Sequence, residues 1–110
     1  MIIVIPTKDV GEKSFVSDQL GRTKFFYVYD TEAASGRVFN NISKNENHGA
    51  GVKTVEFLLN RDADILITPR VGKKALDLLL ETNVKIYQSN AKIAKENIKD
   101  FLNEDLEELY

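Results

Sequence analysis

Around Asn41 the apolar residues of this chain stop alternating and begin to recur at helical spacing, and that change of period constrains the fold more than any other feature of its 110 residues. Before it, residues 24–30 (Lys-Phe-Phe-Tyr-Val-Tyr-Asp) are aromatic and β-branched. Residues 37–41 follow across a turn-rich connection, so the pair reads as a β-hairpin. After it, a polar loop over residues 42–47 leads into Val52, Val55, Phe57, Leu58 and Leu59, the apolar positions of a helix from about Gly51 to Asn60. Residues 64–68 make a short buried strand. Residues 71–81 make a helix with Ala75, Leu76, Leu78, Leu79 and Leu80, and residues 84–87 another short strand. A β-α-β-α-β series of this kind requires a parallel sheet with right-handed crossovers.

The remaining segments fit around that series. Residues 2–5 (Ile-Ile-Val-Ile), stopped by Pro6, suit a central strand buried on both faces. Residues 7–23 read as a long loop with one helical turn near residues 14–20. A last helix starts near Asn90, which is placed to cap it, and buries Ile93, Ala94, Ile98, Phe101 and Leu102 before an acidic, frayed end at residues 104–108. The predicted fold class is α/β: a three-layer α/β/α arrangement on a five-stranded mixed sheet, with an N-terminal hairpin and two β-α-β crossovers. It forms one domain over residues 1–110.

Composition narrows the function. A formal net charge of -2 gives no electrostatic reason to bind nucleic acid or an anionic membrane. Cysteine is absent, which removes disulfides, thiolate nucleophiles and the usual protein ligands of iron-sulfur clusters. The opening residues are apolar for too short a stretch to be a signal peptide or a span, so a cytoplasmic location is expected.

In open sheets, ligands sit beyond the carboxyl ends of the strands where the winding reverses. Here that place is lined by the loop after Ile5, by residues 47–51 and by residues 68–72. The second of these, Asn47-His48-Gly49-Ala50-Gly51, sets the only histidine before two glycines and a helix start. Imidazole coordinates transition metals, and free amides at a helix N-terminus attract anions. Two readings of His48 stand side by side, a metal ligand and a surface or capping histidine. Gly49 and Gly51 either admit a ligand close to the backbone or shape the turn and let the helix pack.

Several segments in this order resemble the dinitrogenase iron-molybdenum cofactor biosynthesis family, which includes the small cofactor carriers NifX and NifY and the C-terminal part of NifB. They are the opening strand through Pro6, Ser17-Asp18-Gln19-Leu20-Gly21-Arg22 followed by Phe25-Phe26, Asn41 closing the hairpin, His48-Gly49-Ala50-Gly51, Val71-Gly72 with Ala75, and Val84-Lys85-Ile86-Tyr87. The resemblance covers nearly the whole chain. It implies a ribonuclease-H-like fold and a loosely bound iron-molybdenum cofactor or iron-sulfur precursor cluster, with His48 as a cluster ligand and with cluster donor and acceptor proteins as partners. The chain departs from the family pattern at Leu20, where many relatives carry phenylalanine, and at Pro69, Arg70 and Lys73, which make the rim more basic.

The other candidate cofactor-binding residues each carry a plain alternative. Arg22 can make bidentate contacts to an anion or a surface ion pair. Ser17 can hydrogen-bond cargo or, more simply, its own loop. Arg70 and Lys73, on either side of the candidate Gly72, can enrich positive potential at the crevice, and a solvated helix face explains Lys73 and Lys74 as well. The ribonuclease-H-like frame also raises two-metal nuclease chemistry, but the first strand contains no acid, leaving only Asp30 and Asp64 near strand ends. With one histidine and no nucleophile elbow, a serine triad is poorer still. The expected protein is therefore a non-enzymatic carrier, monomeric or weakly dimeric. The alternative is a small interaction or regulatory domain that keeps the fold without the cluster.

Overall fold

The computed structural model describes residues 1–42, 50–90 and 92–110, with backbone alone at residue 50. Five strands form one sheet: β1 (Ile2–Thr7), β2 (Phe25–Asp30), β3 (Ser35–Asn40), β4 (Ile65–Thr68) and β5 (Lys85–Gln88), in the order β3-β2-β1-β4-β5. β1 runs antiparallel to β2 and β2 to β3, whereas β1 and β4, and β4 and β5, are parallel. The predicted mixed sheet and the central place of the first strand are thus observed. β1 runs through Pro6 to Thr7, two residues further than its apolar run suggested.

Alternation along the strands divides two cores. Val4, Phe26, Leu66 and Ile86 face one layer, which α1 (Ala50–Asn60) and α2 (Lys73–Leu79) cover with Val55, Leu58, Ala75 and Leu79. Ile3, Ile5, Tyr27, Ile65 and Ile67 face the other, closed by Ala94 and Ile98 of α3 (Ala94–Leu102). This is the three-layer α/β/α arrangement. Beside α1, Phe57 stacks on Phe26 at 4.5 Å and meets Phe39 edge-on, and the Arg61 guanidinium lies 4.0 Å from the Phe57 ring centroid.

Several expectations are corrected by contacts between distant residues. No helical turn forms at residues 14–20. The loop after β1 instead folds back on it, with the Ser17 amide donating to the Pro6 carbonyl at 2.8 Å and the Lys8 amide to Phe15 at 3.0 Å. The same loop caps α3: the amides of Ala94 and Lys95 donate to the carbonyls of Ser14 and Glu12, both at 2.8 Å. Those are two of the orphan donors every helix start must satisfy, so Asn90 is not the cap, and Ile93 stands at that position in extended conformation. Asn90 braces the preceding turn, bonding the Lys92 amide and the Asp100 carboxylate.

α2 is shorter than predicted, because Gly72 is extended and the Thr82 hydroxyl bonds the Leu79 carbonyl at 2.7 Å as the helix ends. Val52, Leu59, Leu80 and Leu102 lie on exposed rather than buried helix faces. The acidic end is not frayed either. The Leu109 amide donates to Ile86 at 2.7 Å and the Gln88 amide to Glu107 at 2.8 Å, which lays the end of the chain along the outer edge of β5.

Candidate functional site

Beyond the carboxyl ends of β1 and β4, where the winding of the sheet reverses, a crevice of about 690 Å³ opens between α1, α2 and the loop before β2. Three segments line it. The loop contributes Asp18, Leu20 and Arg22, α1 contributes Gly51 and Thr54, and residues 70–75 contribute Arg70, Gly72, Lys73 and Lys74. The volume lies in the range of small-ligand sites. Its charged lining is four cations (Arg22, Arg70, Lys73 and Lys74) against one carboxylate, Asp18. Among the described residues Arg70, Lys73 and Lys74 make no ion pair, so their charge stays available to the crevice.

The scaffold under these side chains is rigid. Asn41 donates from Nδ2 to the carbonyls of Gly21 and Thr23, at 3.0 and 2.9 Å, and the buried Thr23 hydroxyl donates to the Thr7 carbonyl at 2.8 Å. Arg22 is therefore carried on a segment tied to both β1 and the end of β3. On the opposite wall α1 and α2 approach closely, because a Cβ at Gly51 would sit 3.3 Å from the Ala75 Cβ. Glycine at 51 lets the two helices pack this closely. Gly72 differs, for it has an ordinary φ of -66° and a Cβ there would meet nothing within 4 Å. Among the described residues nothing requires glycine at that position.

Of the residues predicted from sequence, Arg22, Gly51, Arg70 and Gly72 come together in the crevice. Ser17 is beside it and not in it. Its hydroxyl lies within hydrogen-bond distance of the Gln19 amide and carbonyl in its own loop, and it lines a smaller cavity of about 270 Å³ with Lys8 and Lys24. His48 and Gly49 lie outside the described residues, as does the Ala50 side chain; the Ala50 backbone opens α1. Sequence reasoning missed Thr54, 1% exposed on the α1 face that also carries Val55 and Leu58. A hydroxyl within that apolar face was the available signal.

The acidic pair weighed for nuclease chemistry lies at the other end of the sheet. Asp30 is paired with Ile2, and the Asp64 carboxylate accepts the Ile2 amide at 2.8 Å. Among the described residues no group of three or more His, Cys, Asp or Glu is placed to hold a metal ion.

The model of the dinitrogenase iron-molybdenum cofactor family matches residues 1–104. The chain belongs to that family. A NifB-like protein from Thermotoga has the same fold, with a TM-score of 0.86 and 33% identity, the alignment covering 98% of this chain and 92% of that one. The apo form of the orange protein from Desulfovibrio gigas superposes with a TM-score of 0.90 at 24% identity, covering 97% and 91% of the two chains, which supports the fold. An uncharacterized protein of Methanocaldococcus jannaschii is 25% identical over 95 residues, 84% of this chain and 80% of its own length. Among the described residues of the present member, no helix is long and apolar enough to cross a membrane.

Proposed function

We propose that this chain is a non-enzymatic, cytoplasmic carrier of an anionic iron-sulfur or iron-molybdenum-type metallocluster, taken up in the crevice between α1 and α2 and passed from a donor to an acceptor protein. The observation that carries this reading is the charge of the crevice, four cations facing one carboxylate, in a member of an iron-molybdenum cofactor family. A bare metal cation would be repelled from such a lining, whereas a preassembled cluster with anionic sulfides would be drawn to it.

The chain has no thiolate to offer. In this reading His48, two residues ahead of the first residue of α1, donates its imidazole to iron or molybdenum. The amides of Gly49, Ala50 and Gly51 and the guanidinium groups of Arg22 and Arg70 balance charge. One protein ligand with hydrogen bonds around it suits a cargo that must leave again, which a closed four-ligand cage does not. Gly72 fits the same account, as a backbone position left bare where cargo approaches.

The test is an anaerobic titration with iron-molybdenum cofactor and with its iron-sulfur precursor, followed by gel filtration. Stoichiometric retention that weakens in His48→Ala is the expected result. If neither cluster is retained, the chain is an interaction or regulatory domain that keeps the fold without this cargo. Retention unaffected by the substitution removes His48 as the ligand.

A further inference from the structure

On the sheet face opposite the crevice, α3 leaves part of the β2-β3 hairpin uncovered. A cleft of about 460 Å³ opens there, lined by Tyr27, Tyr29 and Ala34 on the sheet side and by Lys95, Ile98, Lys99 and Leu102 on the helix side, with Glu12 at its rim. Tyr27 is only 4% exposed, yet its hydroxyl has no hydrogen-bond partner among the described residues. Every fully buried side-chain nitrogen or oxygen among those residues does have a partner, so the Tyr27 hydroxyl keeps some contact with solvent. It lies over Gly36 of β3, where a Cβ would collide with it. Glycine at 36 is therefore what allows the ring to lie there with its hydroxyl at the cleft.

Buried phenols ordinarily find a partner, and this one has none among the described residues, at a residue that lines the cleft. The walls around it are apolar. The Tyr27 and Tyr29 rings lie 6.4 Å apart and 30° from coplanar, and across from them are Ile98 and the 53% exposed Leu102. The charges at the rim are Lys95, Lys99 and Glu12. Lys95 reaches Glu12 at 3.9 Å, whereas Lys99 makes no ion pair among the described residues. The remaining charge is one ammonium group, set one helical turn from Lys95 on the same face.

We propose that this cleft binds a small aromatic or apolar monocarboxylate, its body between the two tyrosines and the Ile98-Leu102 face of α3, its carboxylate on Lys99 and the Tyr27 hydroxyl. The volume holds a molecule of one or two rings. The net positive rim selects an anion over an amine, and a carboxylate oxygen accepts from the phenol in place of water. This site is independent of the cluster crevice, which is walled by α1 and α2 on the other face of the sheet.

The experiment is a titration of the ¹⁵N-labelled protein with 2-naphthoate, followed by amide chemical shifts, with neutral 2-naphthamide as the control. Saturable shifts should fall on residues 27–29 and 98–103. Affinity for 2-naphthoate should drop about tenfold in Lys99→Glu and about three- to tenfold in Tyr27→Phe, while the amide ligand binds more weakly and ignores the lysine change. Tyr27→Phe removes one oxygen and Lys99→Glu alters an exposed helix position, so both variants retain the dispersed spectrum of the fold. Absence of saturable shifts in those segments up to about millimolar ligand, equal binding of the neutral ligand, or indifference to both substitutions overturns the proposal.

Discussion

Asn41 brackets Arg22: its side-chain amide donates at 3.0 and 2.9 Å to the carbonyls of Gly21 and Thr23, on either side of the arginine. A residue at the end of the hairpin thereby sets where a cation of the crevice stands. Asn41 is itself buried, and its own amide donates to Lys24 at 3.0 Å. Position and charge at this wall are consequently separate properties. Asn41 holds the backbone and Arg22 supplies the guanidinium.

Asn41→Ala leaves one buried and one part-buried carbonyl without that donor and should cost about 1–3 kcal/mol in urea unfolding. It should also weaken binding of an anionic cargo with every crevice cation still present. Arg22→Gln should do the reverse, weakening cargo binding at near-constant stability. If both variants shift stability and binding in the same proportion, the bracket has no separate positioning role.

The two crevice glycines predict opposite results. Gly72→Ala meets nothing within 4 Å at a φ that alanine adopts freely, so unfolding stability should change by less than about 0.5 kcal/mol while cluster affinity falls. Gly51→Leu must push into Ala75 and should cost about 1–3 kcal/mol by prying α1 from α2. Paired denaturation curves and cluster titrations separate a residue kept bare for cargo from one kept small for packing.

Asn97 is fully buried on α3 and holds the turn before that helix, its Oδ1 accepting the Asn90 amide at 2.9 Å and its Nδ2 donating to Ile93 at 3.0 Å. Asn97→Leu keeps the branched shape in a larger side chain and strands the Asn90 amide, while the Ile93 carbonyl keeps the Asn97 backbone amide at 3.2 Å, so a loss of about 1–3 kcal/mol is expected by calorimetry or urea unfolding. Asn97→Asp should recover part of it, since a carboxylate still accepts the Asn90 amide.

Alkaline pH should loosen the fold. Burial, then the Glu108 carboxylate and its hydrogen bond, raises the Tyr87 hydroxyl above its ordinary 10.0. Burial, then Glu12 and Tyr29, does the same at Tyr27. A raised folded-state value means the unfolded chain gives up these protons first. Stability from them is complete below about pH 10 and declines as pH rises through the folded-state values. Unfolding midpoints measured from neutral pH upward should fall beyond that point, and Tyr87→Phe should flatten the decline.

These relationships show what a single sequence makes legible. The strands, their order and both helical faces follow from local period and β-branched runs, and the switch point then places Arg22, Gly51, Arg70 and Gly72 near one another. Residues 7–23 read as loop with a helical turn because their organisation comes from partners far along the chain. Val16 donates to Lys92, and Ser14 and Glu12 receive the first amides of α3. The same blindness hid the cap of that helix and the pairing of the chain end with β5. Within the site, Thr54 and the bracketing role of Asn41 escaped notice because a lone polar residue on an apolar element shows its purpose only once its neighbours are known.

The central claim is that the basic crevice holds an anionic metallocluster, and an anaerobic affinity measurement on charge-reversed protein addresses it most directly. Arg70→Glu and Lys74→Glu together change the lining from four cations and one carboxylate to two cations and three carboxylates. Both are solvent-exposed, and neither makes an ion pair among the described residues, so the fold should be unaffected. The account predicts saturable cluster binding by the unaltered chain, at least about tenfold weaker in the double variant and steeply salt-dependent. Equal affinity in the two proteins, or no saturable binding by either, contradicts it.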